Sequence, residues 1–292
     1  MTNKISDTDP IVIVSAKRTP IGKFCGGLGA LPASELGAIS IKSALDAVSI
    51  KADEIDEVVM GQVLTAAAGQ NPARQAAIHA GIPKEKTAYC VNQVCGSGLR
   101  SVALAASSLA IGDSTVVVAG GQENMTLSPH ASEMRNGTKM GPVKLIDTMI
   151  QDGLWDIFND YHMGQTAENI SEKYEISRER QDNFAALSQQ KAEKAIAAGK
   201  FKQEIEPVTV RTRKEELTID TDEFPRSGVT PESLAGLKPA FKKDGTVTPG
   251  NASGINDGAA ATVLMRASEA SKRGYKPFAR IVSWATAGVD PA

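Results

Sequence analysis

Apolar residues fall along this chain in short β-branched runs that alternate with longer stretches at helical spacing. Residues 11–15 (Ile-Val-Ile-Val-Ser) read as a buried strand, and Pro20 with Gly26, Gly27 and Gly29 marks a long turn after it. Leu36, Ile39, Ile41, Ala44 and Leu45 then recur at near-helical spacing behind Ser34, the expected N-cap. Residues 55–63 hold the next strand, and 88–92 a further one. Between them, 71–80 reads as a short Ala-rich helix stopped by Gly81 and Pro83. A helix of Ala, Ser and Leu is predicted over 99–111, followed by a strand at 114–119. Alternating strand and helix predicts an α/β layer around a parallel or mixed sheet.

The period is lost after Gly121. Residues 122 to about 165 are rich in Met, Asn, Gly and Asp and show no clean repeat. Helices are predicted at 163–174, 177–198 and 233–237, with a β-like pair at 205–210 and 216–220. Core character resumes after Gly258: a strand at 261–265, a polar helix at 267–273 and a strand at 278–287. The simplest organisation is one α/β core interrupted by an α+β insertion. Residues 1–121 form its first part, 122–250 the insertion, and 251–292 the return to the core.

Composition narrows the function classes. A net charge of -2 gives no broad basic surface for nucleic acid, and 4% aromatic residues give no base-stacking platform. Cys25, Cys90 and Cys95 are an odd number without a C-x-x-C pair, so neither a disulfide framework nor a zinc knuckle is indicated, and no metal is expected. Free thiols fit a reducing compartment. The first ten residues lack an apolar signal core, and the longest apolar candidate, 99–111, carries Arg100 and several serines. The expectation is a cytoplasmic protein with no membrane partner.

Cys95 is the main chemical candidate. The run Val91-Asn92-Gln93-Val94-Cys95-Gly96-Ser97-Gly98 turns a strand into a helix, placing a thiol at a helix N-terminus. Unpaired N–H groups and the helix dipole there favour thiolate, the reactive form, and the glycines let a substrate carbonyl approach. A buried structural cysteine is the other reading of the same residues. Cys90 reads as core, and Cys25 has no partner. The three histidines are His79, His130 and His162. His79 ends a helix, His130 follows Pro129 in a loop, and His162 is a loop histidine by its own context. The Gly26-Gly27-Leu28-Gly29 cluster lacks the third glycine of a phosphate loop and reads as a turn.

Four stretches together carry a family resemblance. Residues 91–102 (Val-Asn-x-x-Cys-Gly-Ser-Gly-Leu-x-Ser-Val) resemble the nucleophile signature of the thiolase family. Gly120-Gly121-Gln122-Glu123-Asn124-Met125, His162-Met163-Gly164-Gln165-Thr166-Ala167-Glu168-Asn169, and Asn251-Ala252-Ser253-Gly254-Ile255-Asn256-Asp257-Gly258-Ala259-Ala260 are similar to three later motifs of that family, in the same order. The resemblance implies a layered half-fold, a five-stranded mixed sheet between helices, with an inserted loop domain that covers the active site. It implies that Cys95 is an acyl-accepting nucleophile in the reversible condensation of two acetyl-CoA to acetoacetyl-CoA, with the coenzyme A thioester as substrate and no cofactor. It places His162 and Met163 against the pantetheine arm, Ser253 in contact with pantetheine, and Arg226 at the nucleotide end. Leu154, Ser233 and Phe241 match further pocket-lining positions. Pro249 departs from the alanine usual before the Ser253 turn. A homo-oligomer, dimer or tetramer, is implied as well.

The resemblance also implies residues that these 292 positions do not contain. A His activates the nucleophile, an Asn holds an oxyanion water, and a second Cys takes the α-proton. They stand in Asn-Glu-Ala-Phe, Gly-His-Pro and Cys-x-Gly-Gly-Gly motifs of a second core half, expected after Ala292. Three readings therefore compete: a thiolase of which this chain is the N-terminal part, a non-catalytic or merely acyl-accepting CoA-thioester fragment, and a ketosynthase-type condensing enzyme. The 162–169 motif and the Ser253 turn disfavour the third.

Overall fold

The computed structural model describes residues 8–211 and 215–292 together with the backbone of 3–4. Residues 1–2, 5–7 and 212–214 lie outside it, and with them part of the polar N-terminal stretch. The chain divides into two compact units. The first comprises residues 1–128, 204–222 and 256–287, and the second 129–203, 223–255 and 288–292.

The first unit is built on a seven-stranded mixed sheet. Its strands are β1 (Ile11–Arg18), β2 (Gly22–Lys23), β3 (Glu57–Gly61), β4 (Thr87–Val91), β5 (Val116–Asn124), β6 (Asn256–Arg266) and β7 (Ala279–Arg280). Their order is β7-β1-β6-β5-β3-β4, with β2 paired to β6. Five of the seven are long; β2 and β7 are two-residue additions to the expected five. β3 runs parallel to β4 and β5, while β6 is antiparallel to β1 and β5.

Alternation along the central strands decides what packs where. Val58, Met60, Val116, Val118, Val263 and Met265 point to one face. There they meet Ile41 and Leu45 of α1 (Ala33–Asp46) and Ala73 and Ala76 of α2 (Pro72–His79). The intervening Val59, Val117 and Leu264 point to the other face and meet Ala105, Ala106 and Leu109 of α3 (Ser97–Ile111). Each such aliphatic residue contributes about 1.5–3 kcal/mol by leaving water. By length and composition the stretch from Val94 to Ile111 is apolar enough to cross a membrane; here one face of its helix is buried on the sheet.

Several elements differ from the pattern-based reading. β5 does not stop at Ala119 but continues through Gly120 and Gly121, and β6 begins at Asn256 rather than Ala261. The glycines are strand residues because the neighbouring strand comes close: a Cβ on Gly120 would lie 2.0 Å from the Ala260 carbonyl oxygen. The strand expected over 278–287 is two short pieces, Ala279–Arg280 and Ser283–Trp284. Pro32, not Ser34, caps α1; the Ser34 hydroxyl instead donates to Gln75 Oε1 at 3.1 Å.

The division of the chain also differs from the 121 and 250 boundaries. Residues 204–222, read as insertion, belong to the first unit. The Arg18 N–H donates to the Glu204 carbonyl at 2.9 Å, and the Arg18 guanidinium binds both Glu204 and Asp222. Val208 and Val210 of the antiparallel pair Val208–Arg211 and Glu216–Ile219 bury against Leu28 and Leu36.

The second unit is mainly helical: Thr148–Gly153, Met163–Lys173, Arg178–Ala197 and Pro231–Ala235. The last of these starts two residues before the expected 233, because Thr230 caps it and Pro231 takes its first position.

Candidate active site

β3, β4 and β5 are parallel, so their carboxyl ends lie at one edge of the sheet, where ligands bind in open α/β sheets. β4 leaves that edge through residues 92–96 and enters α3. The turn is held by its own side chains. The Ser97 hydroxyl accepts the Gln93 N–H at 2.8 Å and donates to the Val94 carbonyl at 2.6 Å. The Val94 N–H donates to Asn92 Oδ1 at 2.9 Å. Val94 sits at φ 47°, a left-handed conformation that a β-branched residue adopts only under strain. Cys95, next to it, is exposed.

The turn can lie on the sheet because Gly61, the last residue of β3, has no side chain. A Cβ there would stand 2.5 Å from the Ser97 carbonyl carbon and 2.7 Å from the Gly98 nitrogen. The sheet end and the helix start are therefore in backbone contact.

Glu123 extends from the carboxyl end of β5. Its carboxylate accepts the N–H groups of Val63 at 2.8 Å and Leu64 at 3.2 Å, which fixes the segment after β3. Burial is the largest influence on it and raises its pKa to about 7; the two amides work against that, and the Asp257 carboxylate reinforces it. Beneath the same segment the buried Gln122 amide donates to Gln62 Oε1, and Gln62 donates to the Leu64 carbonyl, each at 2.9 Å. Cys90, half-buried on β4, accepts the Ala73 N–H on Sγ at 3.1 Å, and burial pushes its thiol pKa up.

In the second unit the structure brings four of the sequence-predicted residues together. The Met163 N–H donates to the Leu154 carbonyl at 2.8 Å, and the short pair Trp155–Asp156 and Tyr161–His162 closes the loop between them. His162 caps the Met163–Lys173 helix: its Nδ1 accepts the Gly164 N–H at 3.0 Å, leaving the ring proton on Nε2. Burial lowers the His162 pKa, so the ring is neutral at physiological pH. Its face stacks on Phe241, with centroids 4.8 Å apart and planes at 18°. Gly164 makes this stack possible, since a Cβ there would fall 2.2 Å from the Phe241 ring. Met163 and Phe241 remain partly exposed, at 42% and 37%.

Other elements hold the remaining three. The Ser233 hydroxyl serves the capping box with Thr230, donating to its carbonyl at 2.7 Å. Arg226 is exposed, and its N–H donates to Gln189 Oε1 at 2.8 Å. Ser253 is exposed in the turn after Asn251, which Asp182 anchors through Asn251 Nδ2 at 2.9 Å. His79 ends α2 exposed, and His130 lies 4.0 Å from the Asp147 carboxylate. Among the described residues no group of three or more His, Cys, Asp or Glu side chains is arranged to hold a metal.

Residues 11–268 match the family model described as "Thiolase, N-terminal domain". The chain belongs to the thiolase family. It is 59% identical to an acetyl-CoA acetyltransferase of Paracoccus denitrificans, over 96% of this chain and 72% of that protein. A cytosolic acetyl-CoA acetyltransferase of Mus musculus is 53% identical over 98% of this chain and 72% of its own length. The crystal structure of the Bacillus anthracis acetyl-CoA acetyltransferase superposes with a TM-score of 0.95 at 42% identity, covering 99% of this chain and 73% of that one. The thiolase match spans Cys95 and all seven residues that the sequence motifs single out in the second unit.

The sequence motifs contain Val94, Gly164 and Glu123 but assign them no role, and Gly61 lies outside every motif. The roles of the two glycines show only in the folded chain: each sits where two elements pack backbone to backbone or backbone to ring. Glu123 has a weak sequence signal, a carboxylate ending an apolar strand.

Proposed function

We infer that this thiolase acts as an acetyl-CoA acetyltransferase, with Cys95 as its acyl acceptor. The Cys95 thiolate adds to the thioester carbonyl of acetyl-CoA, and collapse of the tetrahedral intermediate expels the CoA thiolate and leaves acetyl-Cys95. A second acetyl-CoA, after loss of its α-proton, attacks that acetyl carbonyl and expels Cys95, giving acetoacetyl-CoA. The observation that carries the assignment is the exposed thiol on a strained strand-to-helix turn. No metal or redox group enters the atom balance.

The CoA arm is assigned to the second unit. Neutral His162, Met163, Leu154 and Phe241 supply an apolar wall of the kind a pantetheine chain needs, with a polarizable thioether that adapts to the acyl group. Ser253, Ser233 and Arg226 are assigned to the polar pantetheine and nucleotide portions. A homo-oligomeric, cytosolic enzyme is the corresponding assembly and location, and the cytosolic mouse relative supports the location.

Acetyl-CoA incubation followed by intact mass measurement and assay of acetoacetyl-CoA tests this reading. One acetyl group on the protein, lost in Cys95→Ser, is the expected result. Release of acetoacetyl-CoA extends this chain's activity to the full condensation. Acetylation without it confines the chain to the acyl-accepting step. A wild-type protein that takes up no acetyl group overturns the assignment.

A further inference from the structure

The Met163–Lys173 helix presents Gly164, Glu168 and Ser171 at i, i+4 and i+7, hence on one face. Residues 240–248 lie along that face. Phe241 covers Gly164, as the 2.2 Å approach of a hypothetical Cβ shows. Further along, Glu168 Oε1 accepts the N–H of Val247 at 2.7 Å and of Thr246 at 2.8 Å, and Oε2 accepts the Thr246 hydroxyl at 2.9 Å. Ser171 meets the Thr246 hydroxyl at 3.0 Å. The Ala240 N–H donates to the Val247 carbonyl at 2.9 Å, so the amide that Glu168 holds belongs to the residue that closes the loop beside Phe241.

Glu168 is 2% exposed, an unusual burial for a carboxylate in a partly exposed helix. Burial alone would raise its pKa, but the Val247 and Thr246 amides, the Thr246 hydroxyl and Lys242 outweigh it and lower the pKa. The carboxylate is thus an ionised acceptor for successive loop amides, a strong and directional arrangement. An apolar side chain of the same size would leave both amides unpaired. Lys242, the residue after Phe241, pairs with Glu172 one turn further along the helix.

We propose that Glu168 is a positioning residue for the acyl-thioester arm. It acts through Phe241, by locking the 240–248 loop so that the ring stays stacked on His162. This rests on the assignment of His162, Met163 and Phe241 to that arm. The side chain does not touch substrate; it sets how often the apolar wall is in place.

The test is the rate of Cys95 acetylation at graded acetyl-CoA concentrations, in the wild type, Glu168→Gln, Phe241→Ala and the double variant. Glu168→Gln is expected to raise the half-saturating concentration on the order of tenfold, with the maximal rate within about twofold. In the Phe241→Ala background the same substitution is expected to change it by less than about twofold, because the path through the ring is gone. An unchanged half-saturation in Glu168→Gln, a fall in maximal rate alone, or an equal effect in both backgrounds overturns the proposal. Half-saturation unmoved by Phe241→Ala alone would instead sink the assignment of the wall. Should Glu168→Gln fail to fold, Thr246→Ala removes the hydroxyl that bonds Glu168, Ser171 and Gln181 but keeps both amide bonds to Glu168, and the same background-dependent pattern is expected at smaller amplitude.

Discussion

Glu123 in the first unit and Glu168 in the second each hold two successive backbone amides, Val63–Leu64 in one and Thr246–Val247 in the other. Their protonation differs. Burial dominates at Glu123, with Asp257 adding repulsion, and the pKa rises to about 7. At Glu168 the penalty of burial is overcome by the amides, a hydroxyl and Lys242, and the pKa falls. A carboxylate that catches two amides is therefore not a fixed charge. A third donor and the sign of the neighbouring charge decide whether the loop is held by an anion or by a neutral acid near pH 7. The two glycines under these regions differ in a similar way. Gly61 faces rigid backbone, whereas Gly164 faces a ring that can swing.

The largest expected effect comes from Gly61→Ala. Its Cβ would stand 2.5 Å from the Ser97 carbonyl carbon, so strand or turn must move. We expect a loss of about 2–4 kcal/mol in urea unfolding, with Cys95 acetylation slowed on the order of tenfold or more. An unchanged midpoint and rate would show that the turn does not depend on that contact.

Glu123→Gln comes next. The folded Glu123 keeps its proton up to about pH 7, whereas an unfolded Glu releases it near 4.3. Between these values the folded state binds more protons, so stability falls as pH rises and levels off above about 7. Because the group is partly exposed, we expect about 2–3 kcal/mol across that window from this residue, and Glu123→Gln flattens the slope. Glu168 contributes with the opposite sign: its stabilisation is present above about pH 4.3 and is lost as pH falls through its lowered value. Stability curves of both Gln variants from pH 3 to 8 check the pair; two slopes of the same sign would break the comparison.

Gly164→Ala is expected to cost less than Gly61→Ala in stability, about 1 kcal/mol, since Phe241 can rotate away. Its mark should be weaker acetyl-CoA binding, on the order of tenfold by calorimetry. Equal unfolding losses for the two glycine variants would remove the distinction between rigid and mobile neighbours. The smallest effect belongs to Val94→Gly. It relieves the φ of 47° while adding backbone freedom to the unfolded chain, so thermal unfolding should move by no more than about 1 kcal/mol.

The layered sheet was legible because β-branched runs and small-residue helices follow one another in clean periods, as in Val116–Ala119 and Ala103–Leu109. The glycines misled that reading. Gly120 looked like a strand end, but it is a strand residue because Ala260 crowds it. Cys95 stood out because its setting is local: the residues that shape its turn, Asn92 to Ser97, are neighbours in sequence. The role of Glu168 was not legible, because its partners lie 78 and 79 residues away and nothing in its own neighbourhood signals them. The same distance hid the attachment of residues 204–222 to Arg18, which only the folded chain reveals.

The central claim is that the acyl group lands on the thiol of the strained turn and on no other thiol. Proteolytic mapping of the protein after a brief incubation with acetyl-CoA tests it directly, since Cys25, Cys90 and Cys95 are its only cysteines. The account predicts the acetyl group on the peptide that carries Cys95, with Cys25 and Cys90 unmodified. An acetyl group on Cys90 or Cys25 while Cys95 stays free would contradict it.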